Sequence, residues 1–155
     1  MEALNLPTYS FKIKSEGQRK YIFDGVRKKY IQLTPEEWVR QNFVQFLIQE
    51  KKYPESLISI EMFFKINKLM KRSDIVIFNK QGNPVVIVEC KSPGVKISQD
   101  TFDQIASYNM KFKVDYLIVT NGINHYCCMM DSMKNKYTFI NEIPTFEELN
   151  HNQAF

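Results

Sequence analysis

The run Val85–Val88, reading VVIV, is the strongest constraint on how this chain folds. Four successive apolar, β-branched residues without polar alternation describe a strand buried on both faces, not one with a wet side. Such a strand needs a layer above and a layer below. It is preceded by Gln81–Gly82–Asn83, a hairpin connection, and by the apolar run of SDIVIF; Pro93–Gly94 ends it. A helical pattern from about Ser98, with Phe102, Ile105, Ala106 and Met110 on one face, leads into another apolar strand, DYLIVTNG. Strand, helix, strand in that order predicts a crossover into parallel pairing. The expectation is a mixed α/β domain. Its central sheet should contain strands near 57–66, 72–78, 85–91 and 116–120, with helices near 35–50 and 99–111 beside it.

The first of those helices has an explicit start. Thr34 is a good N-cap, Pro35 suits the first helical position and Glu37 completes a capping-box spacing. Trp38, Val39, Phe43, Phe46 and Leu47 then keep a helical period to about Lys51. In LISIEMFFKI, Ile58, Ile60, Met62 and Phe64 are expected on one face of a strand, with Asn67 in the following turn. HYCCMM reads as a strand after Asn121–Gly122, and PTFEELN as a short helix or docked tail. Upstream, YSFKIK, KYIFDGV and VRKKYIQL read as three short strands, the first two joined around Gly17. They form an N-terminal β-hairpin arm over 1–33, packed on a core domain over 34–155 or serving dimerisation.

With 155 residues, 44% of them apolar and 25% charged, the chain is long enough for one domain with its own core. No apolar run reaches the roughly 18 residues of a membrane span and no secretory leader is visible, so a cytoplasmic, membrane-free protein is expected. Three cysteines make no disulfide framework, and no C-x-x-C pair suggests zinc. Cys127 and Cys128 should face opposite ways along their strand. The net charge of +4 permits a nucleic-acid partner without requiring one. Basic residues recur through Lys12–Lys29 and Lys65–Arg72, as solvated turns or as one phosphate-tracking face.

The chemistry concentrates at two strand ends. Asp74 is expected to open one strand; Glu89, Cys90 and Lys91 close the next. Two carboxylates on neighbouring strands bring oxygens within reach of one hard cation such as Mg²⁺, with the Cys90 backbone carbonyl as a further ligand. Strand alternation puts Glu89 and Lys91 on one side and Cys90 on the other. Lys91 could position an attacking water or offset charge on a pentacoordinate phosphorus. A surface salt bridge between Glu89 and Lys91, with Asp74 as a turn residue, is the plain alternative. His125 reads as a surface or turn residue, Asp103 as helix surface and Asp115 as strand entry.

With these residues in place the chain resembles the PD-(D/E)XK nuclease superfamily. It is similar above all to the N-terminal nuclease domain of the restriction (R) subunit of type I restriction enzymes, in stand-alone form. The resemblance runs from about Leu33 to Met129 and rests on TPEEWVRQNFVQFLIQE, KRSDIVIF, VVIVECK, and QIASY followed by DYLIVTNG. It implies a restriction-endonuclease-like core and Mg²⁺, or Mn²⁺ in its place. Asp74 and Glu89 are the implied metal-binding acids and Lys91 the catalytic lysine. Gln104 and Tyr108 match a glutamine–tyrosine signature and, four apart, share a helix face. An acid from the first helix is implied too: Glu37, which the capping box already explains, or Glu36, with Arg40 or Gln41 one turn on facing the same cleft.

The implied activity is metal-dependent endodeoxyribonuclease action in a restriction or defence system, leaving a 5′-phosphate. The alternative is a catalytically silent DNA-binding or assembly module. The chain shows no phosphate-binding G-x-x-x-x-G-K-S/T loop, so a separate motor or specificity protein is an expected partner beside DNA. A homodimer would supply two sites for cutting both strands.

Overall fold

The computed structural model describes residues 1–66 and 68–153, with the side chains of Phe64, Ile66 and 151–153 left out of the description. The turn expected at Asn67 and the facing of Phe64 lie outside it. Six strands form one sheet in chain order: β4 (Ile58–Ile66), β5 (Leu69–Phe78), β6 (Pro84–Cys90), β7 (Tyr116–Thr120), β8 (His125–Asp131) and β9 (Lys136–Ile140). Every neighbouring pair is antiparallel except β6 and β7, which run parallel with Val86 opposite Tyr116 and Cys90 opposite Thr120. Helix α2 (Gln99–Asn109) makes the crossover between them.

Strand β6 is covered on both sides, as VVIV demands. Val86, Val88 and Cys90 face a cluster with Val39, Phe43 and Leu47 of helix α1 (Pro35–Gln49). Ile87 faces a second cluster with Phe102 and Ala106 of α2 and Phe112 of the 3₁₀ turn that follows. Cys127 lies in the first cluster and Cys128 in the second; all three cysteines are free and buried. Helix α3 (Phe146–Gln153) closes the first layer through Leu149, so PTFEELN is in part a docked helix.

The N-terminal segment forms a separate three-stranded antiparallel sheet: β1 (Ile13–Glu16), β2 (Arg19–Asp24) and β3 (Lys29–Gln32). Its first strand is shorter than YSFKIK suggested. Phe11 packs edge-on to Trp38 of α1, with ring centroids 5.6 Å apart, so this stretch lies on the helix instead of extending the sheet. Leu4 and Leu6 also pack against the first cluster.

Three further details differ from expectation. Strand β9 (KYTFI) was not anticipated; it pairs with β8 across the turn after Asp131. Asp74 does not open its strand but sits mid-way along β5, because residues 69–73 pair with the far half of β4. His125 opens β8, as HYCCMM suggested, but is half-buried instead of a surface or turn residue: its ring meets Thr120 Oγ1 at 2.7 Å and the Asn5 carbonyl at 2.8 Å and tilts against Phe43. Burial pulls its pKa below the usual histidine value. No helix among the described residues is long and apolar enough to cross a membrane.

Candidate active site

Strands β5 and β6 part company where the acids sit. Their pairing ends at Ile75 opposite Val88, one residue short of Asp74 and Glu89. Beyond that point β6 stays with β7, and the Lys91 N–H donates to the Thr120 carbonyl at 2.8 Å. The Cys90 N–H donates instead to Asp74 Oδ2 at 2.8 Å. The aspartate thus fills a ladder position that the splayed strand has vacated, which satisfies a backbone donor that burial would otherwise penalise.

On the other side of β5 the ladder also breaks. Ile60 pairs with Ile75 and Met62 with Ser73, but Glu61, between them, has a left-handed φ of 56°. A non-glycine residue in that region costs on the order of 1–3 kcal/mol and persists only where its surroundings hold it. Here they do: Glu61 binds Arg40 at 2.6 Å and pairs with Arg72. Glu61 was not anticipated from sequence, although an acid between Ile60 and Met62 was a visible irregularity.

Each of the two acids, Asp74 and Glu89, is matched by a cation. Arg40, 4% exposed, donates to Asp74 Oδ1 at 2.7 Å. Burial opposes its charge, but Asp74, Glu37 and Glu61 outweigh burial and raise its pKa. Lys71 Nζ donates to Glu89 Oε1 at 2.6 Å and lies 4.8 Å from the Tyr108 ring centroid. Burial pushes the Glu89 carboxyl up; Lys71 pulls it down and nearby Asp74 pushes it up further. The two acids therefore sit close enough to feel one another. The sequence offers Lys71 only as one of a run of basic residues, because its pairing with Glu89 depends on strand register 18 residues away.

Gln104 and Tyr108 share a face of α2 and, with Lys71 and Glu89, line a cavity of ≈ 260 Å³. Lys91 is half-buried just past β6 and interacts electrostatically with Glu36. Glu36 itself has a raised pKa: partial burial raises it and Asp74 adds to that, against Arg40 and Lys91. Glu37 is held by several partners. Its N–H donates to Thr34 Oγ1 at 3.1 Å, the backbone half of a capping box. Its carboxylate accepts from Arg27 at 3.1 Å and Gln41 at 2.9 Å, and from Arg40. Glu37 and Asp74 are bridged by the Arg40 guanidinium, whereas Glu36 stands in the field of Asp74 and Lys91.

The donor set suits a hard divalent cation. Asp74 and Glu89 offer oxygens at one place, and a carboxylate has about four lone-pair sites, so neither is exhausted by the bonds described. The Cys90 thiol is not a ligand candidate, since burial pushes its pKa well up and keeps it neutral; its carbonyl is the usable group. Among the described residues no three His, Cys, Asp or Glu side chains converge as a ready metal site. Mg²⁺ commonly takes only one or two carboxylates, completed by water and substrate phosphate.

Comparison with known proteins agrees with this architecture. No curated protein matches the chain. A solved fragment described as an HsdR subunit of a type I restriction enzyme from Vibrio vulnificus YJ016 is similar in fold, with a TM-score of 0.54 at 20% identity. The match covers 79% of this chain and 25% of that one, so this chain spans about a quarter of its length. The family model described as the type I restriction enzyme R protein N terminus (HSDR_N) matches residues 35–144, from the first turn of α1 to just before α3. The chain belongs to this type I restriction enzyme R protein N-terminal family.

Proposed function

We propose that this protein is a metal-dependent endodeoxyribonuclease whose site is the splay between β5 and β6. The observation that carries the reading is the meeting of Asp74 and Glu89 there, with Lys91 one step beyond. Membership of a restriction-enzyme family supports a nuclease-related role in a restriction or defence setting, with DNA as substrate and a separate motor or specificity protein as partner. Asp74, Glu89 and the Cys90 carbonyl would hold Mg²⁺ or Mn²⁺. That ion, when bound, supplies a polarised phosphate and a more acidic water.

The remaining work falls to the chain's own groups. Lys91 places an ammonium where charge develops on the equatorial phosphate oxygens. Glu36, with a raised pKa and beside Lys91, is the first-helix acid best suited to take or orient a proton of the attacking water. Glu37 orients Arg40, which in turn holds Asp74. Gln104 and Tyr108 flank Glu89 across the cavity and are suited to steer the phosphate backbone toward it. Arg40 and Lys71 keep the two acids neutralised, and hence stable side by side, until metal and phosphate arrive.

A second reading is a silent DNA-binding or assembly module. One observation favours it: Arg40 and Lys71 already occupy an oxygen of each acid. The two readings separate on incubation with plasmid, linear duplex, branched and single-stranded DNA, each with Mg²⁺, Mn²⁺ or EDTA. Nicking or cleavage that needs metal and falls about a hundredfold or more in Lys91→Ala, with the fold intact, is the expected outcome. Cleavage undiminished in Lys91→Ala would overturn the mechanism. Binding without cleavage under any metal condition, with a motor partner added, would favour the module.

A further inference from the structure

The outer face of the N-terminal sheet carries chemistry that the acidic site does not use. Its register pairs Lys14 with Tyr21, Tyr21 with Gln32, and Phe23 with Tyr30. Tyr21, Phe23 and Tyr30 therefore share one face, while Ile22 and Asp24 point inward and are fully buried. Phe23 and Tyr30 meet edge-to-face at 5.3 Å. Lysine ammoniums lie over this aromatic patch. Lys14 is 4.4 Å from the Tyr30 centroid and 6.0 Å from that of Tyr21, and Lys12 is 5.7 Å from that of Phe23.

Charge on this sheet is one-sided. Lys12, Lys14, Arg19, Lys20, Lys28 and Lys29 are all exposed; by register Lys14 and Arg19 share the aromatic face and Lys12 lies over Phe23, whereas Lys20 and Lys29 alternate onto the other face. Against them stand Glu16, 3.1 Å from Lys14, and Glu55 of the neighbouring 3₁₀ turn, 3.8 Å from Lys28. Asp24 does not count, because it is buried and paired with Arg27.

Lysines alone would serve any polyanion, and rings alone would serve an apolar partner. Tyr30 is exposed and Tyr21 and Phe23 are half-buried, and rings interleaved with ammoniums on one sheet face match a chain whose bases are unstacked and whose phosphates are spaced between them. A duplex hides its base faces and could use only the charges. We propose that this face binds single-stranded nucleic acid, with Tyr21, Phe23 and Tyr30 stacking bases and Lys12, Lys14 and Arg19 taking phosphates. This site is separate from the hydrolytic one and needs no turnover.

Fluorescence anisotropy with labelled oligo(dT), a duplex of equal length and heparin, all in EDTA, tests the assignment. Wild type is expected to favour the single strand over the duplex. Tyr21→Ala/Tyr30→Ala should weaken oligo(dT) binding about tenfold or more and leave heparin binding unchanged. Tyr30→Leu, which keeps an apolar cover over Phe23 but removes a stacking ring, should move in the same direction if the double variant unfolds. Lys14→Gln should weaken both ligands and reduce the salt slope by about 0.7. Equal affinity for single strand and duplex, or tyrosine variants that bind oligo(dT) as wild type does, would overturn it. These titrations run in EDTA without turnover and their variants lie outside the β5–β6 splay, so a failure here and a failure of the hydrolytic reading remain distinguishable.

Discussion

Arg40 meets four carboxylates from a single helix position: Glu36 at 3.9 Å, Glu61 at 2.6 Å, Asp74 at 2.7 Å, and Glu37. Its side chain is 5% exposed, those of Asp74 and Glu61 15% and 18%, so these ion pairs are largely shielded from solvent. Removing one partner of a buried ion network leaves the others uncompensated and costs about 3–5 kcal/mol. Arg40→Met should therefore lower the urea midpoint strongly. The same substitution frees an oxygen of Asp74 and takes a positive charge from beside it, so added Mn²⁺ should restore more stability to Arg40→Met than it adds to wild type. Urea titrations of both proteins with and without Mn²⁺ check this. A variant as stable as wild type would mean that the cluster is held by its other cations. Equal gains from Mn²⁺ would mean that Asp74 is not where the ion binds.

At the scale of elements, the turn between β7 and β8 ties the N-terminal segment to the sheet. The Asn5 N–H donates to the Gly122 carbonyl at 2.8 Å, and Asn5 Nδ2 donates to the Ile123 carbonyl at 3.2 Å. Gly122 has φ of 86°, and a Cβ there would lie 2.7 Å from Leu4 Cδ2 and 3.1 Å from Val39 Cγ2. Gly122→Ala combines a left-handed penalty with a clash, and a cost of roughly 1–3 kcal/mol is expected, read as a lower thermal midpoint. Elements of this kind differ in how far sequence reveals them. VVIV announced a doubly covered strand because burial on both faces leaves no polar alternation to misread. Thr34 announced the start of α1 because a cap is a local bond. The side chain of Glu37 did not follow from the same signal, since its partners Arg27 and Arg40 belong to a long-range charge cluster. Lys71 and Glu61 were hidden for that reason too: their roles come from register across β4, β5 and β6. The short first strand and β9 escaped because pieces of four and five residues carry too little periodicity to be fixed without their neighbours.

At the scale of the whole molecule, the N-terminal sheet and the acidic site are one connected charge system. Asp24 accepts from Gln41 Nε2 at 2.9 Å and pairs with Arg27 at 2.6 Å; Arg27 reaches Glu37 at 3.1 Å; Glu37 holds Arg40, which holds Asp74. Leu4, Leu6 and Val26 add apolar cover to the cluster beneath α1. A division at residue 33 would therefore cut through a buried network and not through a linker, which usually has few crossing contacts. A protein comprising 34–155 alone should lose Arg27 from Glu37 and Asp24 from Gln41, leaving two polar groups of α1 short of partners at the core's edge. In urea, followed by circular dichroism, it is expected to unfold less sharply than residues 1–155 or at far lower denaturant. Asp24→Asn in the full chain makes the milder test, because it weakens the bond to Arg27 while keeping the shape of the sheet. Its cost should be smaller and present at neutral pH. Burial works to raise the Asp24 carboxyl, but its hydrogen bonds and Arg27 hold it below the ordinary carboxylate value. The stability it contributes is therefore full above that value and lost as pH falls through the lowered one. A 34–155 protein with the midpoint and cooperativity of the full chain would show that the sheet is an appendage, and that Arg40 needs no help from beyond α1 to hold Asp74 in place.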